Sequence, residues 1–509
     1  MNNTNNNARI ARNTLMLYFR LLITIVVTLY VSRVLLSALG VEDYGIYNVV
    51  GGVVTMFTMI STSLSSAISR FITFELGKRG ESSRLGLIFS TSLVIQIIIA
   101  ALIAVLVESV GVWFLENRMV IPIERIESAR WVLHFSLMTL VFKVVSVPYS
   151  ATIIAHERIS AYAYICIAEV LLTLGAAFAI SSAPSDRLTT YAALIASAAA
   201  IVLVIYMLYC RRHFAESRFR WIYDKPLMGE MFSFAGWNFI GSSSAILRDH
   251  GGNILLNIFG GGVVVNAARA ISMQVNGAVM SFVTNFMVAL NPQITKSYAS
   301  GDRAYMMTLV FQGSRLSFYM LLFLSLPIII STPYILNLWL GSTPEYSVTF
   351  VRLALIFGLC ESVSQPLIAA MLATGKIRNY QIVVGGLQLM NIPISYVLLR
   401  SGYPPQVVLF VAIFISLCCL AARLYMLRGM ISLSVKGFMR HVVANIVVVA
   451  TLSAIVPLWA ARYMPDNVWG TVAISLVSLC STMSAIYCVG CNHAERELIN
   501  QQLSKLLGR

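Results

Sequence analysis

Charge is the scarcest property of this sequence. Only 11% of its 509 residues are charged, 58% are hydrophobic, and the mean hydropathy is +0.80. A soluble domain usually carries about 25% charged residues. The chain therefore has too little polar side chain to cover a water-facing surface, which excludes an ordinary soluble globule.

The motifs that usually carry catalysis are also missing. The sequence has no Walker A loop, no His-Glu-x-x-His helix and no nucleophile elbow. Its eight cysteines show no paired spacing typical of zinc or redox work, and most lie within apolar runs. No segment between those runs is long enough to form a catalytic domain. We therefore expect neither an enzyme nor a bound cofactor or metal ion.

Long apolar runs dominate what is present. A membrane-spanning helix needs about 20 mostly apolar residues. The first run lacks a short apolar core with a cleavage site, so we interpret it as a retained helix. The sequence predicts an all-α polytopic membrane protein with about fourteen spans, at 14–39, 46–73, 85–107, 129–155, 160–180, 189–210, 230–258, 263–290, 306–331, 347–373, 380–400, 406–427, 441–461 and 469–489.

The formal net charge of +15 is distributed unevenly between the loops. One alternating set holds most of the lysines and arginines, including those at 78–84, 211–225 and 428–440, and the opposite set holds few. This asymmetry follows the positive-inside rule and argues against nucleic-acid binding. It predicts that both termini are cytoplasmic.

Two stretches of the chain resemble each other at a separation of about 220 residues. Residues 145–148 (VSVP) correspond to 363–366 (VSQP), and a basic turn follows each of them. The offset equals six spans, so the two copies share one orientation, as in parallel transporter repeats. We predict two pseudo-symmetric six-helix bundles, 1–215 and 216–430, and an extra helix pair with a cytoplasmic tail over 431–509.

Several arginines fall inside predicted spans, where a charge costs about 2.5–3.5 kcal/mol even on a lenient scale. We expect Arg20 to snorkel to the membrane surface and Arg33 to pair with Glu42 or Asp43. The alternative for each arginine is that it faces a central cavity. The predicted cavity cations are Arg20, Arg33, Arg248, Arg269 and Arg315.

Arg248 is followed by Asp249, and then by two glycines in mid-span. The glycines predict a weakened helix, and broken helices often line transporter sites. The alternative is a local Arg248–Asp249 pair beside a kink. Arg269 is alternatively interfacial, whereas Arg315 has no acidic neighbour in its own span.

Lys143 and Glu361 occupy equivalent positions in the repeat, each five residues before its proline. Glu169 lies about as far after the following turn as Lys143 lies before it, so a structural ion pair between them is expected. The residue near the corresponding position of the second copy is Gln388. We therefore hypothesise a coupling or gating role for Glu361, with Lys143, Glu169 and Asp249 as further candidates, against the alternative of a salt bridge from Glu361 to a basic residue.

The chain resembles the Wzx-type O-antigen flippases of the multidrug/oligosaccharidyl-lipid/polysaccharide (MOP) exporter superfamily. The resemblance is carried by residues 32–36 (SRVLL), 39–48 (LGVEDYGIYN), 70–71 (RF), 75–78 (ELGK), 248–249 (RD), 253–257 (NILLN), 266–269 (NAAR) and 274–275 (QV). These motifs are moderately specific and do not identify the glycan.

The resemblance implies flipping of an undecaprenyl-pyrophosphate-linked oligosaccharide by alternating access, with cation coupling. It implies a bacterial inner membrane, with a glycan polymerase and glycosyltransferases as partners, and it carries over a cavity role to Arg20, Arg33, Arg248 and Arg269. The excess of intramembrane arginine also fits a phosphate-bearing substrate. The alternatives are a cation-coupled multidrug exporter, for which acidic residues are expected in the first bundle, and a membrane enzyme.

Overall fold

The structure is a computed structural model that describes residues 3–55, 58–78, 84–117, 122–180, 186–218, 224–259, 263–340, 345–465, 467–492, 495–497 and 500. Nearly all of these residues are helical, and no β-strand occurs among them. The α-helices are α1 (Asn3–Thr55), α2 (Thr58–Gly77), α3 (Leu85–Leu106), α4 (Val112–Asn117), α5 (Ile126–Ala155), α6 (Ile159–Ala179), α7 (Arg187–His213), α8 (Lys225–Phe259), α9 (Val263–Ala299), α10 (Arg303–Ile330), α11 (Thr332–Leu340), α12 (Ser347–Thr374), α13 (Arg378–Leu389), α14 (Asn391–Arg400), α15 (Val407–Ile431), α16 (Val435–Phe438), α17 (Ala444–Ala460) and α18 (Val468–Ala485).

The apolar runs correspond closely to these helices. Each of the fourteen predicted spans overlaps at least one helix, with α13 and α14 together occupying 380–400. In the described part of the chain, eleven helices are long and apolar enough to cross a membrane. The predicted all-α polytopic fold is confirmed.

Polarity is arranged as a hydrocarbon solvent requires. Large apolar side chains are exposed along helix faces, as Phe410, Phe414 and Leu417 are on α15. Small polar side chains are buried instead, including Ser314 on α10 and Ser362 on α12. Small residues let helices approach closely where lipid offers no hydrophobic drive for their association.

Contacts divide the chain into two compact units, Met1–Phe239 and Ile240–Arg509. In the first unit, α5 packs against α7 and α1 against α6, and a core around Phe89, Tyr149 and Tyr206 joins α3, α5 and α7. In the second, α12 packs against α9, α10 and α15, and α17 pairs with α18. The predicted division into two six-helix bundles and a terminal pair stays a prediction.

Gly40 bends the first helix. Its φ of 80° and ψ of 172° fall in a region open essentially only to glycine. The guanidinium of Arg187 donates to the carbonyl of Ala38 at 3.0 Å, just before the bend. This side chain satisfies a carbonyl beside the bend, so α1 changes direction at a fixed point.

An ion-pair triad holds the chain just beyond the bend. Arg125 donates at 2.9 Å to Asp43 on α1 and at 2.9 Å to Asp186, which also caps α7 through the backbone N–H of Thr189. Burial raises the pKa of Asp186, but hydrogen bonds from Thr189 and Ser128 and the charge of Arg125 outweigh it and leave the pKa below its usual value.

Gly40→Ala tests whether this bend is required. A residue other than glycine in this region costs about 1–3 kcal/mol, so we expect a lower midpoint of thermal unfolding for the purified protein in detergent. Gly175→Ala on α6 is the matched control. Its added methyl meets nothing within 4 Å, and it should stabilise the helix by about 0.5–1 kcal/mol. Equal midpoints for the two variants would contradict a conformational requirement at Gly40.

Candidate functional site

The second unit contains a cluster of buried charges on α8, α9, α12 and α15. On α8, Arg248 is 9% exposed and binds the carboxylate of Asp249 through both Nε (2.9 Å) and Nη2 (3.3 Å). Its guanidinium also lies 5.0 Å from the ring centroid of Phe357 on α12. The local pair foreseen from the sequence is therefore present, with an aromatic ring beside it.

Arg269 lies against the same part of α8. It is 3% exposed, and its Nε donates to Oδ1 of Asn253 at 2.6 Å. A methyl group on Gly252 would lie 3.1 Å from Nη2 of Arg269, so the glycine makes room for the guanidinium. The helix is not broken at Gly251–Gly252, because α8 continues without interruption through both residues. Close packing explains these glycines better than a break does.

Glu361 on α12 belongs to the same cluster. Ser416 on α15 donates a short hydrogen bond to its carboxylate. Glu361 also interacts electrostatically with Arg248 and with Arg423. The charged neighbours of Glu361 thus lie on other helices, so the sequence of its own span does not identify them.

Arg423 on α15 is the principal residue that sequence reasoning missed. It is 1% exposed, the largest fully buried side chain among the described residues, and it interacts with Tyr380 of α13 as well as Glu361. Its position near Arg428, at the end of a predicted span, resembles that of an ordinary snorkelling cation. Cys419 and Arg423 lie four residues apart and therefore on one face of the helix, and this spacing was the signal available in the sequence.

The cluster contains more cationic hydrogen-bond donors than acceptors. Arg248, Arg269 and Arg423 face two carboxylates, Asp249 and Glu361. Among the described residues, nothing accepts a hydrogen bond from Nη1 of Arg269 or from Nε and Nη1 of Arg423. Leaving such buried groups unsatisfied costs about 1–3 kcal/mol each, and more when they are charged. The arrangement is therefore suited to bind an oxyanion.

The first unit contains a separate cleft of about 290 Å³ between α5, α6 and α7, with polar groups set in a largely apolar lining. The predicted ion pair is confirmed there, with Nζ of Lys143 3.0 Å from Oε1 of Glu169. Both groups line the cleft, together with Ser146, Ser150, Tyr162, Cys166 and Tyr206. Arg20 lies beside the cleft lining, its guanidinium 5.3 Å from the ring centroid of Tyr162 and its Nη1 3.5 Å from Sγ of Cys166.

Arg315 on α10 makes its contacts outside both the arginine cluster and the cleft. Its Nη2 lies 2.7 Å from Glu495, and its Nη1 donates to the carbonyl of Gly490 at 3.3 Å. These contacts join α10 to the segment that follows the C-terminal helix pair. The side chain of Arg33 lies outside the described residues. The cavity roles of all five arginines stay predictions.

No protein-family model matches the chain, and no curated protein matches it. Solved structures do. An outward-facing multidrug-resistance MATE family transporter of the MOP superfamily is similar with a TM-score of 0.72 and 12% identity, covering 83% of this chain and 95% of that one. The MATE transporter ClbM in complex with Rb⁺ is similar with a TM-score of 0.71 and 14% identity, covering 84% and 95%.

A third similar structure is a MOP superfamily transporter from Pyrococcus furiosus, with a TM-score of 0.70, 12% identity and coverage of 83% and 95%. It is described by a binding pocket of reverse polarity that suggests a different function. At these identities the likeness shows the fold alone. The chain is a multi-pass membrane protein with the fold of MOP-superfamily transporters.

Glu361→Gln tests the coupling hypothesis. The amide keeps the shape of the side chain but cannot release a proton. If Glu361 couples transport to protons, we expect a rate that no longer changes across a pH series in proteoliposomes. A wild-type rate with unchanged pH dependence rules the hypothesis out.

The control is Glu108→Gln in the first unit, where Glu108 forms an exposed pair with His134 at 2.8 Å. This change also removes one carboxylate from a paired position, but far from the arginine cluster in sequence. It should leave the pH profile as it is in the wild type.

Proposed function

We propose that the chain is a membrane transporter that moves an undecaprenyl-pyrophosphate-linked oligosaccharide from the cytoplasmic to the periplasmic leaflet by alternating access. In this proposal it acts in the bacterial inner membrane, supplies surface-polysaccharide synthesis and works beside glycosyltransferases and a glycan polymerase. Two observations support the proposal. Residues 32–48 and 248–275 resemble Wzx-type flippases, and the second unit contains a cluster of buried arginines.

The observation that carries the proposal is the arginine cluster. Three buried guanidinium groups share two carboxylates, and three of their N–H donor atoms lack an acceptor among the described residues. Arginine binds phosphate through paired, charge-assisted hydrogen bonds, roughly twice as strong as neutral ones. A pyrophosphate supplies both the negative charge and the acceptors that this cluster needs.

Cation-coupled multidrug export is the second candidate. The solved neighbours favour it more directly than the first, because several are named as MATE transporters and one as a multidrug-resistance protein. The fold does not decide between the two candidates, since a transporter with a pocket of reverse polarity is equally similar. The two candidates differ in the charge of the substrate.

A flipping assay distinguishes them. The protein is reconstituted with undecaprenyl-pyrophosphate oligosaccharide carrying an NBD group on the glycan, and external dithionite reports the label that reaches the outer leaflet. We expect wild-type protein to accelerate label movement, and Arg248→Ala to slow it at least about tenfold, the value of one charged bidentate contact. Arg248→Lys should be intermediate, because it keeps the charge and loses the paired geometry.

Arg400→Ala is the matched control. Arg400 is exposed at the end of α14 and donates to Tyr396 at 3.3 Å, so its loss should leave flipping unchanged. Ethidium export is measured in the same vesicles. No flipping together with ethidium export would replace the first proposal by multidrug export.

A further inference from the structure

The cleft of the first unit has an unusual feature for a position within membrane spans. The side chains of Lys143 and Glu169 are 56% and 34% exposed, and both lie within helices long and apolar enough to cross the bilayer. A charge facing lipid there costs about 2.5–3.5 kcal/mol. We therefore place the pair on a water-accessible surface rather than a lipid-facing one.

The pair retains hydrogen-bonding capacity toward the cleft. An ammonium has three N–H donors and a carboxylate about four acceptor positions, and their mutual contact uses one of each. The hydroxyls of Ser146 and Ser150 donate to carbonyls of their own helix at 2.7 and 3.0 Å. Their oxygens remain acceptors. Donors and acceptors are thus available side by side.

This pattern selects the charge of a ligand. The charge of Lys143 is paired with that of Glu169, which makes the lining a weak site for a phosphate. Lys143 and Arg20, which lies beside the lining, repel an organic cation. A neutral ring with neighbouring hydroxyls suits both groups, because one hydroxyl donates to the carboxylate while the next accepts from the ammonium. Tyr162 and Tyr206 add apolar ring surface and phenolic oxygens to the same lining.

The size of the cleft agrees with a single ring. Its volume of about 290 Å³ lies just below the range of about 300–1,000 Å³ for ligand pockets. It therefore suits one small polar group better than a drug-sized molecule.

We infer that this cleft is a sugar subsite, in which the Lys143–Glu169 pair binds a hydroxylated ring of the transported glycan. The inference rests on the proposed function and deepens it, because it assigns to this cleft the recognition of a sugar of the transported molecule. The ion pair is then a recognition element in addition to a contact between α5 and α6.

Equilibrium binding to the full chain in lipid nanodiscs tests this. The probes are radiolabelled undecaprenyl pyrophosphate without sugar and the same lipid carrying glucose, galactose or N-acetylglucosamine. We expect wild-type protein to bind at least one sugar-bearing lipid more tightly than the bare one. Lys143→Met and Glu169→Gln should each lower that preference about tenfold, the size of one hydrogen bond to a charged group, with affinity for the bare lipid unchanged.

The chain offers a matched control in Glu75 and Lys78, a Lys–Glu pair at 2.8 Å near the end of α2 and outside the cleft. Glu75→Gln and Lys78→Met remove the same charges and should preserve the sugar preference. Unchanged binding of the bare lipid shows at the same time that each cleft variant is folded.

The outcomes separate the two proposals. Wild-type binding of bare lipid with no preference for any of the three sugars overturns the subsite and leaves the proposed function standing. So does a preference that survives Lys143→Met and Glu169→Gln, or one that the control variants lose equally. Failure of the wild type to bind any of these lipids overturns both.

Discussion

The cost of placing charge in hydrocarbon is the constraint on which this structure depends. A chain with so few charged residues has little reason to hold any of them inside its spans, yet Arg248, Arg269 and Arg423 are almost fully buried. Each is held by a neighbour on another helix or at the next position, through Asp249, Asn253 or Tyr380. The packing of α8, α9, α12, α13 and α15 is thus also an arrangement of charge partners, and the apolar faces point outward because lipid accepts them at little cost.

The charged side chains at the two candidate sites differ in balance and in exposure. In the arginine cluster of the second unit, three cations are buried beside two carboxylates, which leaves an excess of positive charge for a ligand that brings negative charge. In the first, one cation and one anion stand exposed in a cleft, which suits a neutral ligand with many hydroxyl groups.

Much of the fold could be predicted because its signal is local. A run of apolar residues is sufficient to place a span, and the spans agree with the helices even where a glycine bends α1 or Met390 separates α13 from α14. The Lys143–Glu169 pair was also predictable, since a tight turn fixes the relative depth of two adjacent helices. The surroundings of Glu361 were not, because Ser416 and Arg423 reach it from a helix distant in sequence. Arg315 shows the same limit, because its partner Glu495 lies 180 residues further along the chain.

That last distance matters while the protein is being made. Helix α10 enters the membrane long before the ribosome reaches Glu495, and at about 5–20 residues per second the interval is about 10–40 s. Throughout it, the guanidinium of Arg315 is a charge without its eventual counter-ion. The turn after α18, whose carbonyls at Val489 and Gly490 bind Arg315, Tyr319 and Asn445, does not yet exist. During this interval α10 must be held within the insertion machinery or against earlier helices. The contacts of Arg315 with Gly490 and Glu495 can form only after α18 has been made.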